Sequence, residues 1–256
     1  MSAKFENDPE FDDATPKPST RCGFTLLEAM VVIGIIALLI AFLLPAVRSG
    51  SGPAVRRAQC VNNLKQIALA LYNYERAYKV LPPAYTVDAS GRPLHSWRTL
   101  VLPYLEQESL YRTIDLSKPW NDPANARATE AMPQEFRCPG ASGPPNTTSY
   151  LAITGPDGYL IGEGSRRLAE ITDDHASTLA VIEADDEHAV PWMAPVDASE
   201  SVVIDLGPTT KVHHPGGFNA SFVDGSVRFL KAGIPAQVRR ALMTIAGRET
   251  ITTDQY

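Results

Sequence analysis

The chain has 256 residues, a net charge of -6 and 20% charged residues, which is the composition of an ordinary globular protein with an acidic excess. It lacks the clustered basic excess of nucleic-acid-binding proteins, so we expect no nucleic-acid partner. Its three cysteines, Cys22, Cys60 and Cys138, are too few for a disulfide scaffold, and its 21 prolines and 17 glycines predict many loops.

The longest apolar segment, Ala29 to Val47, has nineteen residues and no charge. As a helix it would measure roughly 28 Å, close to the hydrocarbon thickness of a bilayer. Two other interpretations are a secretory signal peptide and a core helix of a soluble domain. A signal peptide has a shorter apolar region, of roughly 7–15 residues, and a core helix of a soluble domain rarely lacks charges over such a length. The segment therefore predicts a membrane-spanning helix.

The residues before this segment are polar and acidic, and predict a disordered leader at 1–23. The leader ends in Gly23, and the run Gly23-Phe24-Thr25-Leu26-Leu27-Glu28 closely resembles the G-F-T-L-x-E signal of type IV prepilins and type II secretion pseudopilins. The resemblance implies cleavage by a prepilin peptidase between Gly23 and Phe24, and methylation of the new N-terminal phenylalanine. It also implies three further partners: membrane lipid, other pilin-like subunits, or further copies of this chain.

Glu28 is the one acid within the apolar run that follows the cleavage position. It lies one helical turn from Phe24, and an unpaired carboxylate within a membrane is costly. The resemblance implies that Glu28 meets the N-terminal ammonium of a neighbouring subunit and fixes the stagger between subunits. The alternative is that its side chain reaches the lipid headgroups from the end of the helix.

The basic residues that flank the apolar run disagree with the topology that the signal implies. Counted literally, the positive-inside rule would place the large domain in the cytoplasm, but long translocated domains follow the rule poorly. The processing signal requires a cytoplasmic leader, so we expect a single-pass protein of a bacterial inner membrane with a periplasmic head. The basic residues are Lys17 and Arg21 before the run, and Arg48, Arg56, Arg57 and Lys65 after it.

After the apolar run, the sequence RSGSGP at 48–53 predicts a break, and Pro53 suits the first position of a new helix. Apolar residues spaced by three and four from Cys60 to Tyr78 then predict an amphipathic helix that ends near Val80. The predicted domains are therefore the leader, an N-terminal transmembrane and amphipathic helix at 24–80, and a globular head at 81–256.

The head is predicted to mix helices with antiparallel strands, which gives an α+β fold class with a long pilin-like N-terminal helix. Strands are predicted within 148–155 and 177–185, and a late helix within 234–249. Asp224-Gly225 predicts a two-residue hairpin in which Phe222 faces Val227 and Ala220 faces Phe229. One face of this hairpin is expected to be buried and the other exposed to water.

His214 stands ten residues before Asp224, which gives the pattern H-x9-D-G. With the segments QCVNNLKQIALALYNYE, SWRTLVLPYLEQESLY, FRCPG and NTTSYLAITG, it resembles a bacterial family with prepilin-like N-termini known as domain of unknown function 1559. The resemblance covers nearly the whole chain after Gly23. It implies structural roles for His214, Asp224 and Gly225 but no assigned activity. The chain departs from the family in its RSGSGP linker and in Asp174, where glycine is expected.

The sequence offers only weak candidates for chemistry. His214 and Asp224 are separated by up to roughly 33 Å of extended chain, so they are not expected to form a catalytic pair. His213 and His214 are interpreted as hydrogen-bonded loop residues, with metal ligands as the alternative. The acidic residues Asp173, Asp174 and 185–188 predict a solvated face, with calcium binding as the alternative. The chain lacks the usual hydrolase, metalloprotease and phosphate-binding motifs, so we expect no enzyme, no metal site and no cofactor.

Cleavage after Gly23 would remove Cys22 and leave Cys60 and Cys138. An oxidising periplasm allows two remaining cysteines to pair, which predicts a Cys60–Cys138 disulfide. The alternative is two buried free thiols.

The expected function is that of a membrane-anchored, pseudopilin-like structural subunit of a type II secretion or type IV pilus-like apparatus. The alternative is a solitary membrane-anchored periplasmic binding domain that uses the prepilin signal only for its processing.

Overall fold

The computed structural model describes residues 25–43, 52–249, 251 and 256, and of 41–43 only the backbone. Its contacts divide the chain into two units, Met1–Ser49 and Gly50–Tyr256. The predicted leader, with Gly23 and Phe24, lies outside the described residues.

The first unit contains helix α1, Leu26–Leu43, whose described side chains are exposed. The last four residues of the predicted membrane span, 44–47, lie outside the described residues. Within the described ranges, the structure contains no helix of the length and apolar character needed to cross a membrane.

Helix α2, Pro53–Tyr78, opens the second unit and confirms the predicted amphipathic helix. Gly52 precedes it in an extended conformation and Pro53 takes its first position, where the missing N–H is no loss. The helix ends at Lys79, whose left-handed backbone (φ 63°) lets its N–H donate to the Glu75 carbonyl. It buries the predicted apolar stripe from Cys60 to Leu71, with Cys60, Leu64, Ile67 and Leu71 inaccessible to solvent, whereas Tyr78 at the end of the stripe is exposed.

The strands are all antiparallel, which confirms the predicted α+β class. Two short pairs are β1, Tyr85–Val87, with β2, Pro93–Ser96, and β3, Thr147–Thr148, with β6, Val190–Pro191. The main sheet has four strands in the order β4-β5-β7-β8. Its strands are β4, Tyr150–Ala152, β5, Leu179–Glu183, β7, Gly217–Phe222, and β8, Val227–Lys231.

The remaining helices among the described residues are short. Ser96 caps the first of them, because its hydroxyl accepts a hydrogen bond from the Arg98 N–H at 3.1 Å. The helices are α3, Trp97–Leu100, α4, Glu108–Tyr111, α5, Ala126–Glu130, α6, Glu200–Asp205, and α7, Ala236–Met243, the predicted late helix. Single 3₁₀ turns occupy Leu102–Leu105, Pro123–Asn125, Gln134–Phe136, Leu168–Glu170 and His175–Ser177.

The core forms where α2 packs on the main sheet. Helix α2 contacts β7, β8 and β5, and every residue of the two central strands β5 and β7 is buried. Both faces of these strands are therefore covered, so the prediction of one solvent-exposed hairpin face is wrong for β7.

The predicted hairpin exists, but its register is shifted by one residue. Ala220 pairs with Arg228 and not with Phe229. The loop has three residues, because the Phe222 N–H donates to the Ser226 carbonyl at 2.9 Å. Gly225 takes the left-handed position of this loop at φ 82°. A type I turn followed by a left-handed glycine is the usual three-residue hairpin, and the extra residue reverses which side chains share a face.

A buried ion pair ties α3 to the edge of the sheet. The Arg98 guanidinium donates to Asp197 Oδ1 at 2.6 Å and to the Tyr150 carbonyl at 2.9 Å, and neither charged side chain is more than 3% exposed. The same Asp197 oxygen accepts the Trp97 indole N–H at 3.0 Å and the Ala152 N–H at 2.9 Å. One carboxylate therefore holds α3, β4 and the 192–198 loop together.

We predict that Asp197→Asn lowers the free energy of unfolding by about 3 kcal/mol, because it leaves the Arg98 guanidinium buried without a counter-charge. Urea denaturation of the full chain measures this change. The matched control is Glu108→Gln, which removes the exposed partner of Arg112 and should cost less than about 1 kcal/mol. Equal effects of the two substitutions would contradict the prediction.

Candidate functional site

Four buried side chains with reactive or metal-binding atoms meet inside the second unit. They are Cys60, Cys138, Glu183 and His214, and one donor atom from each lies within 4.8 Å of the others. No other group of cysteine, histidine and acidic side chains in the described ranges is comparably close. Each residue is at most 3% exposed. We refer to these four residues as the thiol cluster.

The four members of the thiol cluster come from distant parts of the chain. Cys60 lies on the buried stripe of α2, and Glu183 is the last residue of the central strand β5. Cys138 follows the turn Gln134–Phe136, and His214 precedes β7. Because α2 packs on the sheet, Glu183 at the end of β5 and His214 before β7 lie under the helix.

Hydrogen bonds to backbone atoms fix the loop that carries Cys138. The Asn63 side chain on α2 donates to the carbonyls of Gln134 at 3.3 Å and Arg137 at 2.9 Å. The Arg137 guanidinium donates to the carbonyl of Gly143 at 2.7 Å, so the loop after the cysteine is closed on itself. The Gly140 N–H donates to Cys138 Sγ at 3.3 Å. The thiol is therefore held by its own loop as well as by α2.

The two sulfur atoms are adjacent but not bonded. Cys60 Sγ lies 2.8 Å from Cys138 Sγ, and both residues are free thiols. A disulfide bond measures about 2.05 Å, so the predicted disulfide is absent from this structure. The structure thus has the alternative state, two buried thiols in contact.

Glu183 faces these thiols with one carboxylate oxygen, which makes no hydrogen bond of good geometry. Its Oε2 accepts the Asn219 side-chain N–H at 2.7 Å and the Asn219 backbone N–H at 3.3 Å. Its Oε1 lies 3.2 Å from His214 Nε2 and 3.4 Å from His213 Nδ1, but has no hydrogen-bond partner by geometry. A buried carboxylate oxygen without a hydrogen bond is costly.

His213 connects Glu183 with the protein surface. Its Nε2 lies 2.9 Å from Asp186 Oδ1, and Asp186 also accepts the backbone N–H of Ser142 at 3.3 Å. The predicted role of His213 and His214 as hydrogen-bonded anchors therefore describes His213, whereas His214 points into the thiol cluster.

The electrostatics of the cluster favour the charged forms of Glu183 and His214. Burial lowers the pKa of His214, but its contacts with Cys60 and Glu183 outweigh burial and raise that pKa to about 9. Burial opposes ionisation of Glu183, yet the two histidines hold the pKa of its carboxyl well below the usual range. The contact between the two sulfur atoms lowers the pKa of Cys60 to about 6 and, together with burial, raises the pKa of Cys138.

The other residues singled out from the sequence lie away from the cluster. His214 and Asp224 occupy opposite ends of the β7–β8 hairpin, as expected. The Asp224 carboxylate accepts the Ser226 N–H at 2.8 Å within the turn. The Asp173 carboxylate accepts the backbone N–H groups of Gly247 and Arg248, at 2.8 and 2.9 Å, and Asp174 caps the turn His175–Ser177. Among the described residues, these acids do not converge on a calcium site.

Glu183 was missed in the sequence, although it closes the apolar strand LAVIE. An acid at the end of a strand that is otherwise uniformly apolar is the only local sign of its burial. Its partners stand 123, 45 and 31 positions away along the chain, so no spacing pattern could have grouped them.

At the start of α1, Glu28 makes local hydrogen bonds. Its Oε2 accepts the Thr25 backbone N–H at 2.9 Å and the Thr25 hydroxyl at 3.0 Å, while its own N–H donates to Thr25 Oγ1 at 3.3 Å. This reciprocal T-x-x-E arrangement is a capping box, which satisfies free N–H groups at a helix start. The sequence TLLE, Thr25 to Glu28, contains this signal.

Two family models match the chain. Residues 18–44 match the model described as "Prokaryotic N-terminal methylation motif", and residues 53–162 match "Protein of unknown function (DUF1559)". Both resemblances are therefore confirmed, the second of them over residues 53–162, a range that ends before His214 and Asp224. The methylation-motif segment contains Gly23, Phe24 and Glu28, and the DUF1559 segment contains Cys60 and Cys138. No curated protein and no solved structure is significantly similar to the chain.

For the Asp224-Gly225 turn, we predict that Gly225→Ala lowers the free energy of unfolding by roughly 1–2 kcal/mol. No atom lies within 4 Å of the added methyl group, so the loss comes from the left-handed backbone alone. The control is Gly233→Ala, which is equally open but has no positive φ, and should change stability by less than about 1 kcal/mol. Thermal denaturation of both variants makes the comparison, and an unaffected Gly225→Ala protein would contradict it.

Proposed function

We propose that the chain is a membrane-anchored, pilin-like structural subunit that a prepilin peptidase cleaves between Gly23 and Phe24 and methylates at Phe24. The observation that carries the proposal is the match of residues 18–44 to the N-terminal methylation motif, directly before and within an apolar helix. The proposed location is the bacterial inner membrane, with a single pass and a periplasmic head. The basic residues after Val47 remain at odds with this topology.

The surface of α1 supports an anchoring or assembling role. Large apolar side chains project from it all along its described length, including Leu26 at 82% and Ile33 at 65% exposure. Continuous apolar surface of this kind marks a contact with lipid or with another protein. The segment Ala29–Val47 is long enough in sequence for a bilayer, and we propose that it spans one.

Glu28 has two functions in this proposal. In a single chain it caps α1 through Thr25. After cleavage, a new ammonium group at Phe24 would stand one turn before it, and the same group on a neighbouring subunit could take the carboxylate. We propose that the capping box holds the acid in place in the monomer, and that assembly into a filament exchanges this local contact for an intermolecular one.

We propose that the head has no catalytic activity. The only thiol–imidazole arrangement in the described ranges is the thiol cluster, and its members are at most 3% exposed. A substrate would have no path to Cys60 or His214 without opening the core. This burial favours a structural role for the cluster.

A solitary binding domain is the second candidate function, and one observation favours it. A cleft of about 470 Å³ lies between α2 and the D-G hairpin, lined among others by Tyr72, Glu75, His175 and Asp224. Its size is suitable for a small molecule. In that case the prepilin signal would serve only for processing, and self-association through α1 would be absent.

We predict that co-expression with a prepilin peptidase yields a mature chain that begins with N-methylated Phe24. Mass spectrometry of the N-terminal peptide measures this directly. Gly23→Val should leave the leader attached, because a branched side chain at the cleavage position blocks access of the peptidase to the backbone. A mature chain that begins near Arg48 would show an ordinary signal peptide and overturn the proposal.

We also predict that Glu28→Gln abolishes crosslinking between subunits in membranes, whereas Thr25→Ala retains it. Glutamine can preserve the capping box but not the charge, since it replaces glutamate in such caps. Thr25→Ala has the opposite effect, because it removes the capping hydroxyl and keeps the carboxylate. Crosslinking at equal expression, with processing verified for each variant, separates the charge from the cap.

Three results are distinguishable in that experiment. Loss of crosslinking only in Glu28→Gln supports assembly through the charge. Loss only in Thr25→Ala would assign Glu28 to helix capping alone. Absence of crosslinks in the wild-type chain would favour the solitary binding domain.

A further inference from the structure

We propose that the thiol cluster is a structural metal site that binds one Zn²⁺ through Cys60 Sγ, Cys138 Sγ, Glu183 Oε1 and His214 Nε2. The proposal concerns the second unit alone and is independent of whether the chain assembles through α1. It goes against our expectation from the sequence, which included no metal.

The geometry is close to that of a tetrahedral site. With bonds of about 2.0–2.3 Å, the four ligand atoms of such a site lie roughly 3.3–3.8 Å from one another. Here His214 Nε2 lies 3.2 Å from Glu183 Oε1 and 3.8 Å from Cys138 Sγ, and all four donor atoms lie within 4.8 Å of one another. The sulfur atoms must separate from 2.8 Å by roughly 1 Å, and any pair near the 4.8 Å limit must approach by a similar distance.

The carboxylate supplies an independent observation. Glu183 is 1% exposed, and its Oε1 faces the thiols without a hydrogen bond, while Asn219 occupies its other oxygen twice. A carboxylate with one oxygen fixed by hydrogen bonds and the other directed into a cluster is the arrangement of a metal ligand with its supporting shell. Gly140 supports the sulfur of Cys138 in the same way through its N–H.

Charge and ligand softness select the metal. Binding displaces every proton that the two sulfur atoms and His214 Nε2 carry, so two thiolates, one carboxylate and one neutral imidazole surround the ion. Thiolate and imidazole ligands favour Zn²⁺ over the oxygen-preferring Ca²⁺ and Mg²⁺. The resulting charge of the site, -1, is offset by the donors of Asn219 and by His213, whose Nδ1 lies 3.4 Å from Glu183.

A disulfide is the competing state of the same two cysteines. It would employ only the sulfur atoms, and would leave no reason for an acid and an imidazole to converge on them inside the core. Four protein ligands in a closed, buried site are typical of structural zinc. Such an ion would link α2, the Cys138 loop, the end of β5 and the segment before β7, and its binding energy would add to the stability of the fold.

The test uses the full-length chain, purified in detergent under reducing conditions and without chelator. Elemental analysis should find about one zinc per chain. Removal by a chelator should lower the melting temperature, and added Zn²⁺ but not Ca²⁺ should restore it. Replacement by Co²⁺ should give the strong visible bands of a tetrahedral cobalt–thiolate site, a readout that needs no variant to fold.

Matched variants locate the ion. Cys138→Ser and His214→Gln should each lose the metal, and Asn219→Ala should weaken its affinity roughly 10–100-fold through loss of support for Glu183. The control is His188→Gln, because His188 is paired with Asp185 outside the cluster and should not alter binding.

Two results would overturn the proposal. One is a metal-free chain that gives no cobalt–thiolate bands after reduction and incubation with Co²⁺, with a Cys60–Cys138 disulfide found by peptide mapping before reduction. The other is zinc that persists in Cys138→Ser and His214→Gln, which would place the ion elsewhere.

Discussion

The packing of α2 on the central strands β5 and β7 is the contact on which the second unit depends. One face of the helix carries Cys60, Leu64, Ile67 and Leu71, all inaccessible to solvent, and the strands beneath it are buried along their full length. Burial of each of the larger side chains in this set contributes on the order of 1.5–3 kcal/mol to the stability of the fold. Without this packing, one face of the sheet would be exposed apolar surface, and Cys60 on α2 would not contact the other three residues of the thiol cluster.

Local signals in the sequence predicted much of the fold, and tertiary contacts explain what was missed. Pro53 and the spacing from Cys60 predicted α2, because both are properties of a single helix. The Asp224-Gly225 pair predicted a hairpin but not its register, since two- and three-residue loops share the same dipeptide and differ by one hydrogen bond, from Phe222 to Ser226. The consequence of that bond is large, because a shift of one residue exchanges the two faces of the strand.

The thiol cluster could not be predicted from the sequence, for a different reason. Cys60 and Cys138 were noticed because cysteines are few, but Glu183 and His214 have meaning only when the sheet order β4-β5-β7-β8 is known. That order places the end of β5 beside the start of β7, which is a non-local fact. Burial of the acid also contradicts the ordinary expectation that glutamate is exposed. Such a violation of the general pattern is a common property of functional or ligand-bearing positions.

The two parts of the chain use carboxylates in a comparable way. Glu28 and Glu183 each stand at the end of an apolar segment, where desolvation makes an unpaired charge expensive. Thr25 satisfies the first acid locally, and Asn219 with the histidines satisfies part of the second. Under the two proposals the partner within the chain gives way to a stronger one, an ammonium group from a neighbouring subunit for Glu28 and a metal cation for Glu183. Each acid is already positioned by its local contacts, so it would bind the proposed counter-charge with little reorganisation, and that property would couple folding of the head to metal supply and α1 to assembly.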